Sequence, residues 1–412
     1  MLLTDSDQAM LEGSAGGAVA LAMELIVTTG EAMKAPALLD ISGAHIDGCL
    51  YHGQAGLDFA RLLGDLGGKV TVPTTLNVSS LDLLHPDLYR GDAESALAAR
   101  ELMDIYVEMG CMPSWTCAPY QLADRPRFGE QIAWGESNAI VFANSVIGAR
   151  TARYGDFLDI CCAITGRAPQ SELHTEEGRR ATLVLDLEVP DHVLDSEILY
   201  PVLGHLLGQI AGSEIAAITG LDDRATEDRL KALGAAAASS GAVGMFHVVG
   251  VTPEAATLEA AVGKGRTLRR ITVGVGELTR ARKSLGVGSG ELGAVSVGTP
   301  HFSAGELEEL ADLVTGRRSS VPFYVNTSRE ILASAERQGF VAPIETFGAT
   351  LVTDTCTYIT PIMGQVDGLV MTNSGKWAFY APGNLGMDVV FASLAECVES
   401  AVGGKVTTGE SW

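Results

Sequence analysis

Three short apolar runs within residues 294–356, each ending in a polar turn and two followed by an amphipathic helix pattern, constrain the fold more than any other feature of the chain. Ala294-Val-Ser-Val-Gly298 reads as a buried strand, and Ser303 with Glu306 forms a capping-box pattern before Leu307, Leu310 and Val314. Val321-Pro-Phe-Tyr-Val325 reads as the next strand, and Thr327 with Glu330 repeats the capping pattern before Ile331, Leu332 and Ala335. Ala349-Thr-Leu-Val-Thr353 is the third strand and runs into Asp354-Thr-Cys356. Strand and helix in alternation predict a parallel sheet with right-handed crossovers. Ligands of open α/β sheets bind outside the carboxyl ends of the strands. That rule singles out Thr299-Pro-His301, Asn326-Thr-Ser328 and Asp354-Thr-Cys356, although their hydroxyls and Asn326 serve equally well as helix caps.

The remainder is read more coarsely. Residues 1–190 mix helical stretches with strand-like runs such as Lys69-Val-Thr-Val-Pro73 and close on the alternation Thr182 to Pro190, giving an N-terminal catalytic lobe. Residues 191–290 hold the strand candidates Gly244–Gly250 and Arg270–Val275 and are assigned to a second α/β lobe. Residues 291–412 form a C-terminal α/β lobe that completes the active site. Gly286-Val-Gly-Ser-Gly290 lacks both the Walker lysine and a full dinucleotide fingerprint and reads as a turn. The fold class is therefore α/β and multi-lobed, with parallel-sheet βαβ units around a central cleft, as a chain of 412 residues exceeds what one core usually serves.

A formal charge of -23 argues against nucleic acid and anionic membranes, which need basic patches, and leaves a small molecule as the expected ligand. The opening MLLTDSDQAM carries acids where a signal peptide needs basic residues, and no apolar run approaches the length of a membrane span. Seven scattered cysteines then fit reduced thiols in the cytoplasm, most of them expected as small buried hydrophobes.

Four segments combine reactive side chains with turn formers: Tyr51-His-Gly-Gln-Ala-Gly56, Thr116-Cys-Ala-Pro-Tyr120, Trp134-Gly-Glu-Ser-Asn138 and Thr372-Asn-Ser-Gly-Lys-Trp377. None is a self-sufficient metal motif. Cys117 precedes Ala-Pro, which disfavours helix, and Cys356 follows a strand, so both are placed where a thiolate can face a cleft. Cys161 and Cys162 fall in the run Phe157 to Ile164, which reads as a buried helix. For His52, His174 and His301 a plain hydrogen-bonding role stands beside a catalytic one. Lys376 suits a carboxylate or hydroxyl, or else snorkels at the surface. Arg150 and Arg153 can hold a carboxylate in bidentate fashion, or pair with Asp156 or Asp159.

Taken in order, Thr116-Cys-Ala-Pro-Tyr120, the stretch Gly135 to Arg150, Tyr154-Gly-Asp-Phe-Leu-Asp-Ile160, Ile164-Thr-Gly-Arg167, Asp354-Thr-Cys356 and Thr372-Asn-Ser-Gly-Lys376 resemble the aconitase X family over nearly the whole chain. The resemblance implies an iron-sulphur dehydratase of aconitase-like architecture. One branch acts on cis-3-hydroxy-L-proline, giving Δ1-pyrroline-2-carboxylate, and another on mevalonate 5-phosphate. By position it implies Cys117 and Cys356 as cluster ligands, with Gly53, Gln54, Asn77, Glu136, Ser137, Asn138 and Lys376 lining the site. Lys376, Glu136 and Ser137 are the catalytic candidates of that set, and His52, Arg150 and His301 join the substrate-binding ones.

Two departures refine the expectation. The phosphomevalonate branch has a cysteine where this chain has Thr299 in Gly298-Thr-Pro-His301, and threonine is a poor iron ligand. Cys161 is then the first candidate for a third ligand, ahead of Cys397 and Cys49, the cluster being of the 2Fe-2S or the 3Fe-4S/4Fe-4S kind, and hydroxyproline is the favoured substrate. The family also pairs its catalytic portion with a small swivelling domain, expected here as a separate subunit that closes the cleft and supplies a catalytic serine. The alternatives are the large subunit of a mevalonate 5-phosphate dehydratase and a cluster-binding or scaffolding subunit without turnover.

Overall fold

The computed structural model describes residues 1–263, 268–286 and 290–409. It divides into two compact units, Met1–Leu81 with Gly91–Arg180, and Asp82–Arg90 with Ala181–Trp412.

The first unit contains β1 (Leu38–Asp40), β2 (Ala44–Ile46), β3 (Thr74–Leu76), β4 (Ala133–Trp134) and β5 (Arg167–Pro169). β1 pairs antiparallel with β5, whereas β2 lies between β3 and β4 and runs parallel to both. The strand-like run Lys69 to Pro73 is not a strand. Val70 N–H donates to Met109 O (2.9 Å) and Thr71 N–H to Ala163 O (2.9 Å), so successive residues bond to different neighbours and no ladder forms. Pairing begins only after Pro73, whose carbonyl accepts from Ala44 N–H (2.9 Å).

The second unit contains two sheets. The first comprises β6 (Leu183–Leu187), β7 (Ala216–Thr219), β8 (Phe246–Val248) and β9 (Arg269–Val273), all parallel in the order β8-β7-β6-β9. Helices Leu199–Ala211 and Glu227–Ser240 pack closely, since a Cβ at Gly204 would lie 2.1 Å from Leu233 O. The Ala235 to Ala238 stretch belongs to that tight contact: all four side chains are buried.

The second sheet comprises β10 (Leu292–Phe302), β11 (Phe323–Thr327), β12 (Ala349–Val352), β13 (Leu369–Thr372) and β14 (Val389–Phe391), parallel throughout in the order β12-β11-β10-β13-β14. Val295, Val297, Val325, Leu307 and Leu310 share its core, which is the burial that the apolar periodicity predicts.

Two boundaries differ from expectation. β10 does not stop at Gly298 but continues through Thr299-Pro300-His301 to Phe302, with a shift of register against β11 between Val297 and Phe302. Gly298 (φ +85°) permits this, because a Cβ there would lie 2.2 Å from Asn326 O. Ser303 caps the next helix with Glu306 as its box partner, as predicted. The following helix is capped by Ser328, not Thr327, because Thr327 is still in β11 and its hydroxyl donates to Phe302 O (2.9 Å). The turn assigned to Gly286–Gly290 has residues 287–289 outside the described residues.

Candidate functional site

In the first unit the three parallel strands end side by side, and the residues that follow β2, β3 and β4 are Asp47, Asn77 and the Gly135-Glu136 turn. Asn77 donates from its amide nitrogen to Asp47 Oδ1. Glu136, buried, caps helix Ser137–Phe142 by accepting from Ala139 N–H (2.8 Å) and also accepts from the Asn138 amide and, at 3.4 Å, the Ser137 hydroxyl. Asn138 donates to the carbonyl of Cys117 (3.0 Å) and accepts from Tyr120 O–H (2.8 Å), while Tyr120 stacks on Phe142 with ring centroids 3.8 Å apart. The turn that Ala118-Pro119 predicts is present: Ala118 N–H donates to Thr116 Oγ1 (3.0 Å) and Cys117 is buried at its apex. Asn77, Cys117, Glu136, Ser137 and Asn138 are thus brought to one edge of one sheet.

Other candidates of this unit lie elsewhere. His52 and Gln54 are exposed at the start of helix Gln54–Asp65, where Gly53 is the N-cap and Gln54 donates to Asp58 (2.6 Å). Arg150 bridges to Gln131, before the amino end of β4, and pairs with Glu176 rather than with Asp156 or Asp159. Cys161 is in the core of helix Leu158–Thr165, its thiol pushed up to about 12 by burial and by the Asp159 carboxylate.

His174 is structural. Its Nδ1–H donates to Gln131 Oε1 (2.6 Å), and Nε2 accepts from Ala152 N–H (3.3 Å) and Tyr154 O–H. Burial, helped by Arg179 and Arg150, lowers its pKa to about 3, and burial lowers that of His45 to about 4. A histidine depressed on folding contributes stability that is complete above its unfolded pKa and is lost as pH falls through that value. Each should cost about 1.4 kcal/mol per pH unit below roughly pH 6.5. Thermal unfolding of His174→Gln is accordingly expected to depend less steeply on pH between about 6 and 4.5 than that of the wild type. Equal slopes would show that His174 is already charged in the folded state.

In the second unit the carboxyl ends of β10 to β13 carry a hydrogen-bonded cluster. Asn326 donates to Val297 O (2.7 Å) and accepts from Thr357 N–H (3.1 Å). Thr357 Oγ1 meets Ser296 Oγ (2.7 Å) and accepts from Trp377 Nε1–H (3.0 Å). The segment leading to Cys356 is fixed from two directions. Asp82 accepts from Thr353 N–H (2.8 Å) and Oγ1–H (2.9 Å), and Asp354 accepts from both Arg329 Nε (2.8 Å) and its terminal nitrogen (2.6 Å). Burial raises the Asp354 pKa, and Arg329 opposes the rise.

His301 and Cys356 are both buried, and a ring nitrogen of His301 lies within 4.8 Å of the Cys356 sulphur. His301 Nε2 is 3.0 Å from Thr355 O, an acceptor, so Nε2 donates and Nδ1 is the ring nitrogen that would face a metal. A second ring nitrogen donating to a backbone carbonyl is the usual arrangement of a metal-ligating histidine, and imidazole with thiolate suits iron or zinc. Lys376, 3% exposed, stands in the first turn of helix Gly375–Leu385, with Nζ 5.9 Å from the centroid of the Tyr358 ring. Sequence reasoning placed His301 among substrate-binding groups. It missed Asp47, Asp82, Arg329 and Thr357, of which only Asp47 carries a signal, as an acid directly after a strand.

Comparison with known proteins covers these parts in turn. Residues 1–177 match the aconitase X first domain, 181–283 the second and 292–403 the third. The chain is 46% identical over 98% of its length to a cis-3-hydroxy-L-proline dehydratase of Pseudomonas aeruginosa, covering 70% of that protein. It is 42% identical to one of Hypocrea jecorina, with 98% and 69% covered. The phosphomevalonate dehydratase large subunit of Thermococcus kodakarensis is 35% identical, with 92% and 95% covered. The crystal structure of Thermococcus kodakaraensis aconitase X in its holo-form superposes with a TM-score of 0.88 at 33% identity, covering 97% of this chain and all (100%) of that one. With each of its three segments matched in order and a solved relative superposing along almost its entire length, the chain belongs to the aconitase X family.

Proposed function

We propose that this hydro-lyase converts cis-3-hydroxy-L-proline to Δ1-pyrroline-2-carboxylate. The observation that carries the choice of substrate is the 46% and 42% identity to hydroxyproline dehydratases over 98% of the chain, against 35% to the phosphomevalonate subunit. The reaction removes a proton from the carbon bearing the carboxylate and hydroxide from its neighbour. The resulting enamine tautomerises to the imine.

His301 and Cys356 would hold an iron-sulphur centre, with Cys117 as the third donor in place of Cys161. The placement of these groups supports that reading: His301 offers the ring nitrogen opposite the one that donates to Thr355, and Cys356 a thiol within 4.8 Å of it, whereas Cys161 is enclosed in the core of helix Leu158–Thr165. When bound, such a centre supplies Lewis acidity toward the departing hydroxyl. The protein's own groups do the rest. Lys376, at the positive end of helix Gly375–Leu385, receives the substrate carboxylate and balances the charge that builds on it as the α-proton leaves. Asn138 and Glu136 set the Cys117 turn.

The relatives named as large subunits support a small-subunit partner. Among the described residues no helix is long and apolar enough to cross a membrane. All seven cysteines are buried and none is in a disulfide, in keeping with the reducing cytoplasm. The test is anaerobic co-production with the small subunit, followed by turnover assays on both substrates. Dehydration of cis-3-hydroxy-L-proline with at least about a hundredfold larger kcat/KM is expected. Preference for mevalonate 5-phosphate would overturn the choice of substrate.

A further inference from the structure

Thr299 is 5% exposed, and its Oγ1 makes no hydrogen bond among the described residues. The amide oxygen of Asn373 is likewise buried without a partner. Both residues line a cavity of about 30 Å³ whose wall includes Lys231, Ser374 and Lys376. This small cavity shares Phe302, Glu306 and Asn373 with a larger one of about 330 Å³. A buried polar atom without a partner is costly to keep, and two beside one cavity point to a ligand that satisfies both.

The chemistry of the wall restricts what that ligand is. Asn373 Oδ1 only accepts, so it needs a ligand N–H or O–H. Thr299 Oγ1–H and the Lys376 ammonium donate, and the 11-residue helix capped by Ser374 presents its N-terminus, so the other end of the ligand is an acceptor with negative charge. An anion adjoining an N–H matches the head group of an α-amino acid, the class to which the proposed substrate belongs. We infer that Thr299 and Asn373 are specificity-determining residues that recognise it: Thr299 donates to the carboxylate beside Lys376, and Asn373 accepts from the ring ammonium. The larger cavity beside it is lined by four acids, Glu197, Asp228, Glu306 and Glu309, against one arginine, Arg229, and this acidic excess disfavours a dianionic phosphate while tolerating an ammonium. The inference rests on the hydroxyproline reading above and names the groups that would enforce it.

Calorimetric titration of the full chain with its small subunit tests it, using two unreactive probes. L-Proline carries both head-group charges, and cyclopentanecarboxylate lacks the N–H. Thr299→Val, which keeps the shape and removes the hydroxyl, is expected to weaken L-proline roughly ten- to a hundredfold with unchanged iron content and unfolding temperature. Thr299→Ser should restore binding, which a packing role would not predict. Asn373→Leu is expected to abolish the preference for L-proline over cyclopentanecarboxylate. Wild-type affinity in both Thr299→Val and Asn373→Leu, from an enzyme that does dehydrate cis-3-hydroxy-L-proline, would overturn this inference alone. A wild type that neither binds L-proline nor turns over hydroxyproline would overturn the substrate reading and the inference with it.

Discussion

The Cys356→Ser enzyme is expected to be isolated without its iron and to lose turnover by a factor on the order of a thousand or more, while its unfolding temperature stays near that of the wild type. A hydroxyl is a far weaker iron ligand than a thiolate but nearly preserves the side chain's size. The surrounding turn does not depend on the sulphur: Ile359 and Thr360 donate to the backbone carbonyl of Cys356, each at 3.1 Å, and Asp82 and Asp354 hold the segment before it. His301→Ala should lose iron as well, because it removes the nitrogen that Thr355 orients. Cys117→Ser is expected to follow if it supplies the third donor. Cys161→Ser is the control: a thiol enclosed in the core of helix Leu158–Thr165 is expected to be replaced without loss of iron. Iron content by elemental analysis, visible absorption and circular dichroism separate these outcomes. Full iron in Cys356→Ser would remove it from the ligand set.

The contrast between Cys356 and Cys161 shows what local sequence carries and what it does not. Cys356 follows an apolar strand and a turn-forming Asp354, and strand ends in parallel sheets are where sites form, so its placement was readable. The choice among further ligands was not, because it depends on burial and on partners remote in sequence. Cys161 is enclosed by the packing of helix Leu158–Thr165, and Thr355, 54 residues from His301, orients the imidazole. The Asp82 carboxylate that anchors Thr353 is 271 residues away and leaves no periodic or spacing signal.

The same distinction runs through the fold. The sheet of β10 to β14 was legible because its strands alternate with helices whose Ser303 and Ser328 caps punctuate the apolar periodicity. The error of one residue at Thr327 arose because two adjacent hydroxyls satisfy the same local pattern, and only the ladder decides which one remains in the strand. β2, β3 and β4 span three, three and two residues, too few for any period to emerge, so Asp47, Asn77 and Glu136 could not be recognised from pattern as neighbours at one sheet edge.

Lys376→Ala is expected to lower kcat and kcat/KM together, by on the order of a hundred- to a thousandfold, with little change in KM. The side chain is 3% exposed at the start of helix Gly375–Leu385, so its charge acts where water screens it poorly and where the helix terminus already favours an anion. A carboxylate is present in the ground state, but its negative charge grows as the α-proton leaves, and a cation fixed beside it gains most in the transition state. Lys376→Met, which keeps much of the apolar stem but removes the charge, should behave like the alanine variant. Lys376→Arg should recover only part of the rate, since the guanidinium is larger and the adjoining cavity is only about 30 Å³. Steady-state kinetics with cis-3-hydroxy-L-proline, on proteins matched for iron content, distinguishes the cases. An increase in KM alone would make Lys376 a uniform binding group, and wild-type kinetics in the methionine variant would mean that its charge does not meet the reacting carboxylate at all.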